Sequence, residues 1–410
     1  MRPSVGKYRP HAQNRPAHRW LSFILSTALV ILPALPAGAV RAAAPARRAA
    51  PSGTLSAAPA APPVAPLLAP SITATKVDSF SDPDGDGKAE PGQTITYTVT
   101  ITNNGTDAAN VNFSDTVDPN TTLVPGSVKT QPVASDDSYS VLGNVRIQPA
   151  AAAGLLANDT DPDTGNNSGL VASGPATSAQ GGNVAVNPDG SFSYNPPAGY
   201  EGPDSFTYTV TDGTSSDTAT VNLAVGDVVW FVNNAAPAGG DGRLTSPYNS
   251  LASVSNGSDL DEPGDVIFVY EGSGSYPGGI ALEDGQRLVG QGTSLDSALA
   301  AFGIAVPAHS DARPAATSNP TLANAAGDVV TLANGNAVYA VNASASFAAS
   351  AAIAGSGVGG TTTLNGVNAS ASGSANGVAL NTFLGTFTMT GGSVAGNSSG
   401  TAVVVNGGST

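Results

Sequence analysis

Residues 181–213 read GGNVAVNPDGSFSYNPPAGYEGPDSFTYTVTDG, and this stretch decides the fold class of the chain. Short runs rich in Val, Phe, Tyr and Thr are separated by the turn signals Asn-Pro-Asp-Gly and Asp-Gly. Such runs, bounded by Gly, Pro, Asn and Asp, are typical of β-strands joined by tight turns. Similar runs recur along the chain, and no long segment of helical period follows the first 39 residues. The sequence therefore predicts an all-β protein.

Charge and cysteine content restrict the classes of function. The chain has 410 residues, 15 Lys and Arg, 30 Asp and Glu, and no Cys. Eight of the basic residues and none of the acidic ones lie in positions 1–48, so the remainder carries 7 basic against 30 acidic residues, a net charge of −23. Such a surface repels nucleic acid and anionic membranes and attracts cations. Without disulfides, stability must come from calcium or from long hydrogen-bonded sheets.

The first 70 residues have the composition of a leader and a spacer. Residues 1–39 combine a basic start, a short apolar run after Trp20 and the ending Ala37-Gly38-Ala39, which predicts a signal peptide cleaved near Ala39. The alternative is an uncleaved membrane anchor. Residues 40–70 are rich in Ala and Pro, which predicts a disordered, extended linker. We therefore expect a secreted or cell-surface protein with no membrane span in the mature chain.

The segment 71–132 carries the pattern of one small β-domain. The run 94–102 alternates Ile, Tyr, Val and Ile with Thr, and a second strand is expected to begin at Val111 and Phe113. The words DGDGKAEPGQTITYTVTITNNGTDAANVNFSDTVDPNTTLVPGSV resemble the bacterial conserved-repeat surface domain of unknown function. That resemblance implies an Ig-like β-sandwich over 71–132.

The segment 133–225 has strand and turn signals at short intervals, which predicts a second small β-sandwich. The segment contains, in this order, the words ASDDSYSV, GLLANDTDPD, the stretch 181–213 and DTATVNLAV. These words and their order resemble the bacterial cadherin-like (VCBS-type) tandem Ig-like repeat. The resemblance implies calcium-dependent rigidity and adhesion at cell surfaces.

The segment 226–410 repeats loosely, with short β-branched strands and Gly-rich corners about every 20–30 residues. We expect strands at Val266–Tyr270 and Arg287–Val289, with Ala, Val, Leu and Phe inside the coils and Ser, Thr, Asn and Gly outside. The opening WFVNN, GGDG, SPYNSL and GDVIFVYEGSGSY resemble the first coils of pectin-lyase-like proteins, which implies a right-handed parallel β-helix. Because the last strand stops in mid-coil, we expect this chain to be part of a longer one.

Two groups of acidic residues are candidates for calcium. The loop SDPDGDGKAE places aspartates at positions 1, 3 and 5 of an EF-hand-like numbering, but position 12 is Gln93 where a bidentate Glu is expected. The alternative for this loop is an acidic β-turn. Its candidate ligands are Asp82, Asp84, Asp86, the carbonyl of Lys88, and Glu90.

The second group belongs to the cadherin-like segment. By resemblance, such repeats place acidic residues at their ends, where a calcium ion between domains would stiffen the tandem. The alternative is that these Asx residues cap turns without metal. The candidate ligands are Asp136, Asp137, Asn158, Asp159, Asp161, Asp163, Asp204 and Asp212.

The charge pattern of the β-helix argues against catalysis. Polysaccharide lyases and hydrolases share this fold and need paired carboxylates, or acidic calcium ligands with a base. After Arg313 the only charged side chain is Asp328. The earlier coils hold six acidic residues that mostly adjoin Pro or Gly, so we expect solvated corners, and we expect His309 to be a loop residue. These six are Asp261, Glu262, Asp265, Glu271, Glu283 and Asp284.

The sequence thus predicts an exported structural or adhesion protein, with two Ig-like sandwiches that carry a β-helix. We expect no catalytic residue, calcium as the one ligand ion, and surface glycans or other envelope or matrix proteins as partners. The alternative is a carbohydrate-active enzyme whose catalytic coils lie in 227–313 or beyond this chain.

Overall fold

A computed structural model describes residues 71–103, 121–124, 127–255, 260–396 and 400–407. The predicted signal peptide, the predicted linker and the expected strand at Val111 and Phe113 lie outside the described residues. The chain divides into two compact units. The first contains the described residues up to Ser135, Thr160–Ser168 and Thr211–Asp217; the second contains Asp136–Asp159, Gly169–Val210 and the described residues from Thr218 onward.

In the first unit, strands β1 (Ile72–Ser79) and β2 (Thr96–Asn103) form an antiparallel pair in which Ile72 lies opposite Asn103. The predicted strand over 94–102 is therefore confirmed in its position. Its alternation buries Val99 and Ile101, whereas Tyr97 is 48% exposed and receives the Lys76 ammonium over its ring at 4.4 Å. The remaining strands of the predicted first sandwich stay a prediction.

The cadherin-like segment forms a sandwich built on a four-stranded sheet of order β3-β8-β7-β4, with a separate hairpin of β5 and β6. Its strands are β3 (Asp137–Leu142), β4 (Val171–Ser173), β5 (Asn183–Val186), β6 (Phe192–Asn195), β7 (Gly202–Thr211) and β8 (Ser216–Gly226). The Asn-Pro-Asp-Gly turn joins β5 to β6 and the Asp-Gly turn joins β7 to β8, as the sequence predicts. Within β7, alternation buries Phe206, Tyr208 and Val210.

The rest of the second unit is a parallel β-helix of three sheets, with strand orders β22-β19-β16-β13-β10-β9, β11-β14-β17-β20-β23 and β12-β15-β18-β21-β24. Its first strands are β9 (Val229–Val232), β10 (Val266–Val269), β11 (Ser275–Pro277), β12 (Ile280–Ala281), β13 (Arg287–Gly290), β14 (Thr321–Asn324), β15 (Val330–Leu332) and β16 (Ala337–Tyr339). Its later strands are β17 (Asn342–Ala345), β18 (Ala351–Ser356), β19 (Thr361–Asn365), β20 (Asn368–Ala371), β21 (Asn376–Asn381), β22 (Thr386–Thr390), β23 (Ser393–Ala395) and β24 (Val403–Asn406).

The coil length confirms the predicted repeat. In-register partners are 21 residues apart at Val266 and Arg287, and 25 apart at Thr361 and Thr386. Two coils are longer: Val229 and Val266 are 37 residues apart, and Arg287 and Ala337 are 50 apart. The second of these holds an insertion after β13 with helix α1 (Leu295–Ala301), whose N-cap is the Ser294 hydroxyl. The sequence analysis did not predict this helix, since seven residues are too few to show a helical period.

Both faces of the first strands of the β-helix are buried, each in a different core. In β9, Trp230 and Val232 point into the interior of the β-helix. The alternate residues of the same strand, Val229 and Phe231, pack instead against Leu142 of the sandwich and against α1. This explains why the strand reads as a continuous apolar run rather than an alternating one.

The sandwich and the β-helix are also joined by hydrogen bonds. Ile147 bridges antiparallel to Tyr194 within the sandwich and to Ser310 of the insertion. The Arg146 guanidinium pairs with Asp311 at 2.9 Å. The backbone carbonyl of Asn144 accepts the Leu244 N–H of the β-helix at 2.9 Å. The sandwich and the β-helix therefore share an apolar core.

Candidate functional site

The loop after β1 gathers three exposed carboxylates. Oxygen atoms of Asp82, Asp84 and Asp86 all lie within 4.8 Å of one another. Gly85 and Gly87 adopt positive φ of 72° and 73°, which lets the backbone curl around the first aspartate. Asp82 accepts the Gly87 N–H at 2.9 Å and the Asp86 N–H at 3.1 Å. The Gly87 bond is the main reason that the pKa of Asp82 is lowered.

The other two candidates from this loop, Lys88 and Glu90, make contacts of their own beside the three aspartates. The Lys88 ammonium forms an ion pair with Asp86 and so competes with a cation there. Glu90 is outside the three-carboxylate group and forms a turn with Gln93, whose side chain accepts the Glu90 N–H at 2.8 Å. Gln93, the residue that departs from the EF-hand pattern, thus closes the turn that follows the loop.

A second group of three carboxylates lies in the cadherin-like segment and belongs wholly to the first unit. It joins Asp161 and Asp163 to Asp212, with oxygen atoms within 4.8 Å of one another. Asp161 is buried, Asp212 half-buried and Asp163 more open. Aspartates from the segment 160–168 thereby meet one from the β7–β8 turn, which the sequence separates by 49 positions.

Local hydrogen bonds orient these three carboxylates. Asp161 accepts the Asp163 N–H at 2.8 Å, and Asp163 accepts the N–H of Thr130 at 3.0 Å. The Lys129 ammonium lies 3.6 Å from Asp163. Desolvation acts to raise the pKa of Asp212, but the N–H groups of residues 214 and 215 outweigh it, so its pKa lies below the usual value. Three carboxylates thus face one ammonium, which favours an added cation.

A separate pair of buried carboxylates lies in the second unit. Asp137 and Asp159 are both buried, and the Tyr208 hydroxyl lies 3.1 Å from an Asp159 oxygen. Desolvation raises the pKa of Asp137 to about 7; the Tyr208 hydroxyl lowers it, and the charges of Asp159 and Asp136 raise it further. Oδ2 of Asp137 makes no hydrogen bond within the described part of the chain. Burial thus brings the pKa of Asp137 close to neutral pH.

The remaining candidates bond to the protein itself. Asp136 accepts the Thr220 N–H at 2.7 Å, and its carbonyl accepts from Asn158 at 3.2 Å. The buried Asp204 carboxylate accepts four donors: the Ser178 and Tyr194 hydroxyls at 2.5 and 2.6 Å, and the N–H groups of Gln180 and Ser205 at 2.9 and 2.7 Å. Desolvation opposes ionisation of Asp204, yet these donors hold its pKa below the usual range.

Two acidic residues of the β-helix do not lie at solvated corners, and that expectation was wrong for them. Asp261 is 4% exposed and Asp265 is 9% exposed. Asp265 accepts the Trp230 indole N–H at 2.8 Å and the Glu262 N–H at 3.0 Å. Asp261 accepts from the side chain of Gln286 at 2.6 Å. Asp265 thus closes its turn from the inside, and Asp261 joins its turn to the next coil.

Buried polar residues recur at the position of Asp265, immediately before the strands of the first β-helix sheet, and form a column that was not predicted from the sequence. Asp265, Gln286 and Asn336 immediately precede β10, β13 and β16, and each accepts the N–H of the residue three positions earlier. The signal was present in the words EPGD, EDGQ and ANGN, each followed by a strand. Asn336 also donates to the carbonyls of Glu283 and Gln286 in the preceding coil.

Two cavities flank the junction of sandwich and β-helix. One of about 290 Å³ is lined by residues that include Glu201, Asp227, Asp265 and Arg287. The Glu201 carboxylate accepts the Val228 N–H at 3.1 Å, and the Arg287 guanidinium donates to the Gly264 carbonyl at 2.7 Å. The other, of about 440 Å³, is lined by Tyr139 and by His309. His309 lies in a loop, as predicted.

The fold and these sites define an all-β chain that combines a sandwich with a parallel β-helix. Residues 129–227 match the model of the bacterial cadherin-like domain. This span includes β3–β8 and the group of Asp161, Asp163 and Asp212.

Other comparisons are more distant. No curated protein matches this chain. Two structures of the endo-fucoidan hydrolase MfFcnA4 from glycoside hydrolase family 107 are similar at 15% and 12% identity, over 53% and 43% of this chain, with TM-scores of 0.20 and 0.19. The endo-fucoidan hydrolase MfFcnA9 is similar at 15% identity over 40% of this chain, with a TM-score of 0.18. The matches cover 27% of each of those chains. Among the described residues, no helix is long and apolar enough to cross a membrane.

Proposed function

We propose that the chain is an exported structural or adhesion protein whose cadherin-like segment binds calcium. The observation that carries this proposal is the group of Asp161, Asp163 and Asp212, which lies within the span that matches the bacterial cadherin-like domain. Calcium prefers several oxygen ligands from carboxylates and carbonyls, and three converging carboxylates provide the start of such a shell.

Calcium would act here as a link between segments. Carboxylates this close repel one another, so a bound divalent cation removes a repulsion as well as forming new bonds. One ion would tie the segment 160–168 to the turn 211–217, and the Asp163 bonds to Thr130 extend that link to the chain before the sandwich. Because the ion binds the ordered state only, it would stabilise it in proportion to its concentration.

The loop of Asp82, Asp84 and Asp86 is a weaker second site in this proposal. All three carboxylates are exposed, and Lys88 already neutralises one of them. An exposed site gains less from each charge than a half-buried one, because water screens it.

The β-helix would serve as the rigid body that meets a partner, with surface glycans or other envelope or matrix proteins as the partner class. Export would follow from the signal peptide predicted over 1–39. A polysaccharide lyase or hydrolase is the alternative. The carboxylates that such an enzyme would use are those of Asp261 and Asp265. Both are buried and accept hydrogen bonds from the protein itself. We therefore expect no release of reducing or unsaturated ends from pectin, alginate or chitin.

Calorimetric melting of the chain with and without calcium tests the proposal. We expect millimolar calcium to raise the melting temperature by several degrees, because a ligand at about 100 times its Kd stabilises by about 2.7 kcal/mol. The double variant D161N/D163N keeps the side-chain volumes and should lose most of this shift. D189N, in the exposed β5–β6 turn, is the matched control and should keep it. An unchanged melting temperature in the unaltered chain, or an undiminished shift in D161N/D163N, would refute the calcium site.

A further inference from the structure

The outer face of the first β-helix sheet changes its chemistry along the helix. On β9, β10 and β13 the outward residues Phe231, Phe268 and Val289 are buried beneath the sandwich and the insertion. On β19 and β22 the outward positions are Thr and Asn instead, and the face is open. The change occurs after β16, the last strand with an aromatic residue on this face.

The open part of this face is a regular grid, which we call the hydroxyl grid. Its members pair in register as Thr361 with Thr386, Thr363 with Thr388, and Asn365 with Thr390. Neighbouring strands lie about 4.8 Å apart, and alternate residues of one strand are about 6.6 Å apart. The grid therefore repeats in two directions, along the strands and across them.

The polar groups of the hydroxyl grid are available to a ligand. Among the described residues, none of its six side chains makes a hydrogen bond to the protein. The second sheet is different, because its outward amides bond to one another: Asn368 donates to Asn342 at 2.9 Å, and the Ser393 hydroxyl donates to Asn368 at 3.0 Å. The outward polar side chains of the second sheet thus hydrogen-bond from coil to coil, whereas those of the hydroxyl grid on the first sheet do not.

An aromatic ring borders the hydroxyl grid and no charge lies within it. Tyr339 is in register with Asn365, is half-buried, and packs against Phe302 with ring centroids 4.9 Å apart. Between Pro314 and the end of the chain the only charged residue is Asp328. The hydroxyl grid itself is therefore neutral, although the chain as a whole is acidic. A charge on the same face is that of Arg287, two strands before the grid, where the guanidinium lies over the Phe302 ring at 5.3 Å.

We propose that the hydroxyl grid, with Tyr339 at its edge, binds an uncharged polysaccharide chain. A polymer with regularly repeated hydroxyl groups can pair with a regular array of Thr and Asn side chains, each of which donates and accepts. The apolar face of a sugar ring can pack on an aromatic side chain, which has a large apolar surface. A polyanion is disfavoured, because the net charge of −23 outside the first 48 residues repels it. This inference rests on the proposed extracellular function and specifies the class of its partner.

Titration calorimetry with the full chain in calcium tests the inference. The probes are cellohexaose and laminarihexaose, which are neutral, and an alginate hexamer, which is anionic. We expect at least one neutral hexamer to bind and the alginate hexamer not to bind. The variant T363V/T388V keeps the β-branched shape and removes two hydroxyl groups, so affinity should fall about tenfold. T207V, at an exposed Thr on β7, is the control and should bind like the unaltered chain.

Three results would overturn the inference: no binding of either neutral hexamer, undiminished affinity in T363V/T388V, or equal affinity for the alginate hexamer. The calcium-dependent melting shift is recorded on the same samples. If calcium raises the melting temperature as expected but no glycan binds, only the glycan-binding proposal for the hydroxyl grid is refuted. If calcium does not raise the melting temperature, the proposed function is refuted.

Discussion

At the scale of single residues, the groups around a buried carboxylate decide its charge in this protein. Asp204 is buried among four donors and ionises readily, whereas Asp137 is buried beside two other carboxylates and has a pKa of about 7. Asp82 is exposed and is held by backbone N–H groups. All three have the same side chain, so the neighbours that folding brings to each aspartate set its charge.

Asp137 leads to a prediction about pH. Its folded pKa of about 7 is above the ordinary value of 3.8, so the folded state holds a proton that the unfolded state has released. The resulting stability is complete below about pH 4 and is lost as the pH rises through 7. D137N, which cannot ionise, should be more stable than the unaltered chain at pH 7.5, by about 2 kcal/mol. Urea unfolding in EDTA at pH 5 and pH 7.5 measures the free energy of unfolding of D137N and of the unaltered chain.

The variant D189N, at an exposed turn, is the control for the pH experiment. It should show the same pH dependence as the unaltered chain. If the stability of D137N falls between pH 5 and pH 7.5 as much as that of the unaltered chain does, Asp137 is not the titrating group.

At the scale of elements, the polar column inside the β-helix corners sets the coil register. Asn336 is fully buried and makes three hydrogen bonds, one within its own turn and two to the preceding coil. Each removed partner leaves a buried backbone group unsatisfied, which costs about 1–3 kcal/mol. The corner residues thus stabilise the stacking of coils as well as each turn.

Replacement of Asn336 by Ala should therefore lower the free energy of unfolding by about 3 kcal/mol or more. N381A is the matched control, because Asn381 is exposed and is joined to Asn406 by one side-chain bond at 2.9 Å. The control should cost less than about 1 kcal/mol. Denaturant unfolding of both variants measures the difference, and equal costs would show that the corner column does not stabilise the coils.

The elements also show how far the sequence could predict this fold. The coil period, the strand in 94–102 and the two turns around 187–190 and 212–213 follow from local pattern, and the structure has them there. Burial of Asp265 could not be predicted, because the Trp230 indole that bonds to it comes from the preceding coil. Helix α1 could not be predicted, because its seven residues are too few to show a helical period.

The sequence shows which residues could bind a metal ion, but not which of them lie close together in the structure. Sequence alone places Asp161 and Asp163 together, since they are two positions apart. Asp212 joins them only because the segments 160–168 and 211–217 come together in the fold. Asp204 lies within β7, and the structure surrounds it with donors from its own sandwich.

At the scale of the whole molecule, the sandwich of the second unit and the β-helix behave as one packing unit. Leu142 and Val145 of the sandwich lie in the same apolar cluster as Phe268 and Leu299. A shared core couples the stability of the two parts, so they should unfold in one transition.

Replacement of Leu142 by Ala should destabilise this unit by about 2–5 kcal/mol, since Leu142 is fully buried. The loss should appear equally in hydrogen exchange of β7, in the sandwich, and of β13, in the β-helix. V171A, at an exposed position on β4, should leave both unchanged. Faster exchange confined to β7 would show that the two parts are independent.

In the proposed function, calcium holds the aspartate-rich segments 160–168 and 211–217 together. Hydrogen–deuterium exchange with and without calcium tests it most directly, because it reports on each segment separately. We predict slower exchange at 160–168 and 211–217 when calcium is added, no change at β13, and loss of the effect in D161N/D163N. Identical exchange at these two segments with and without calcium would contradict the claim.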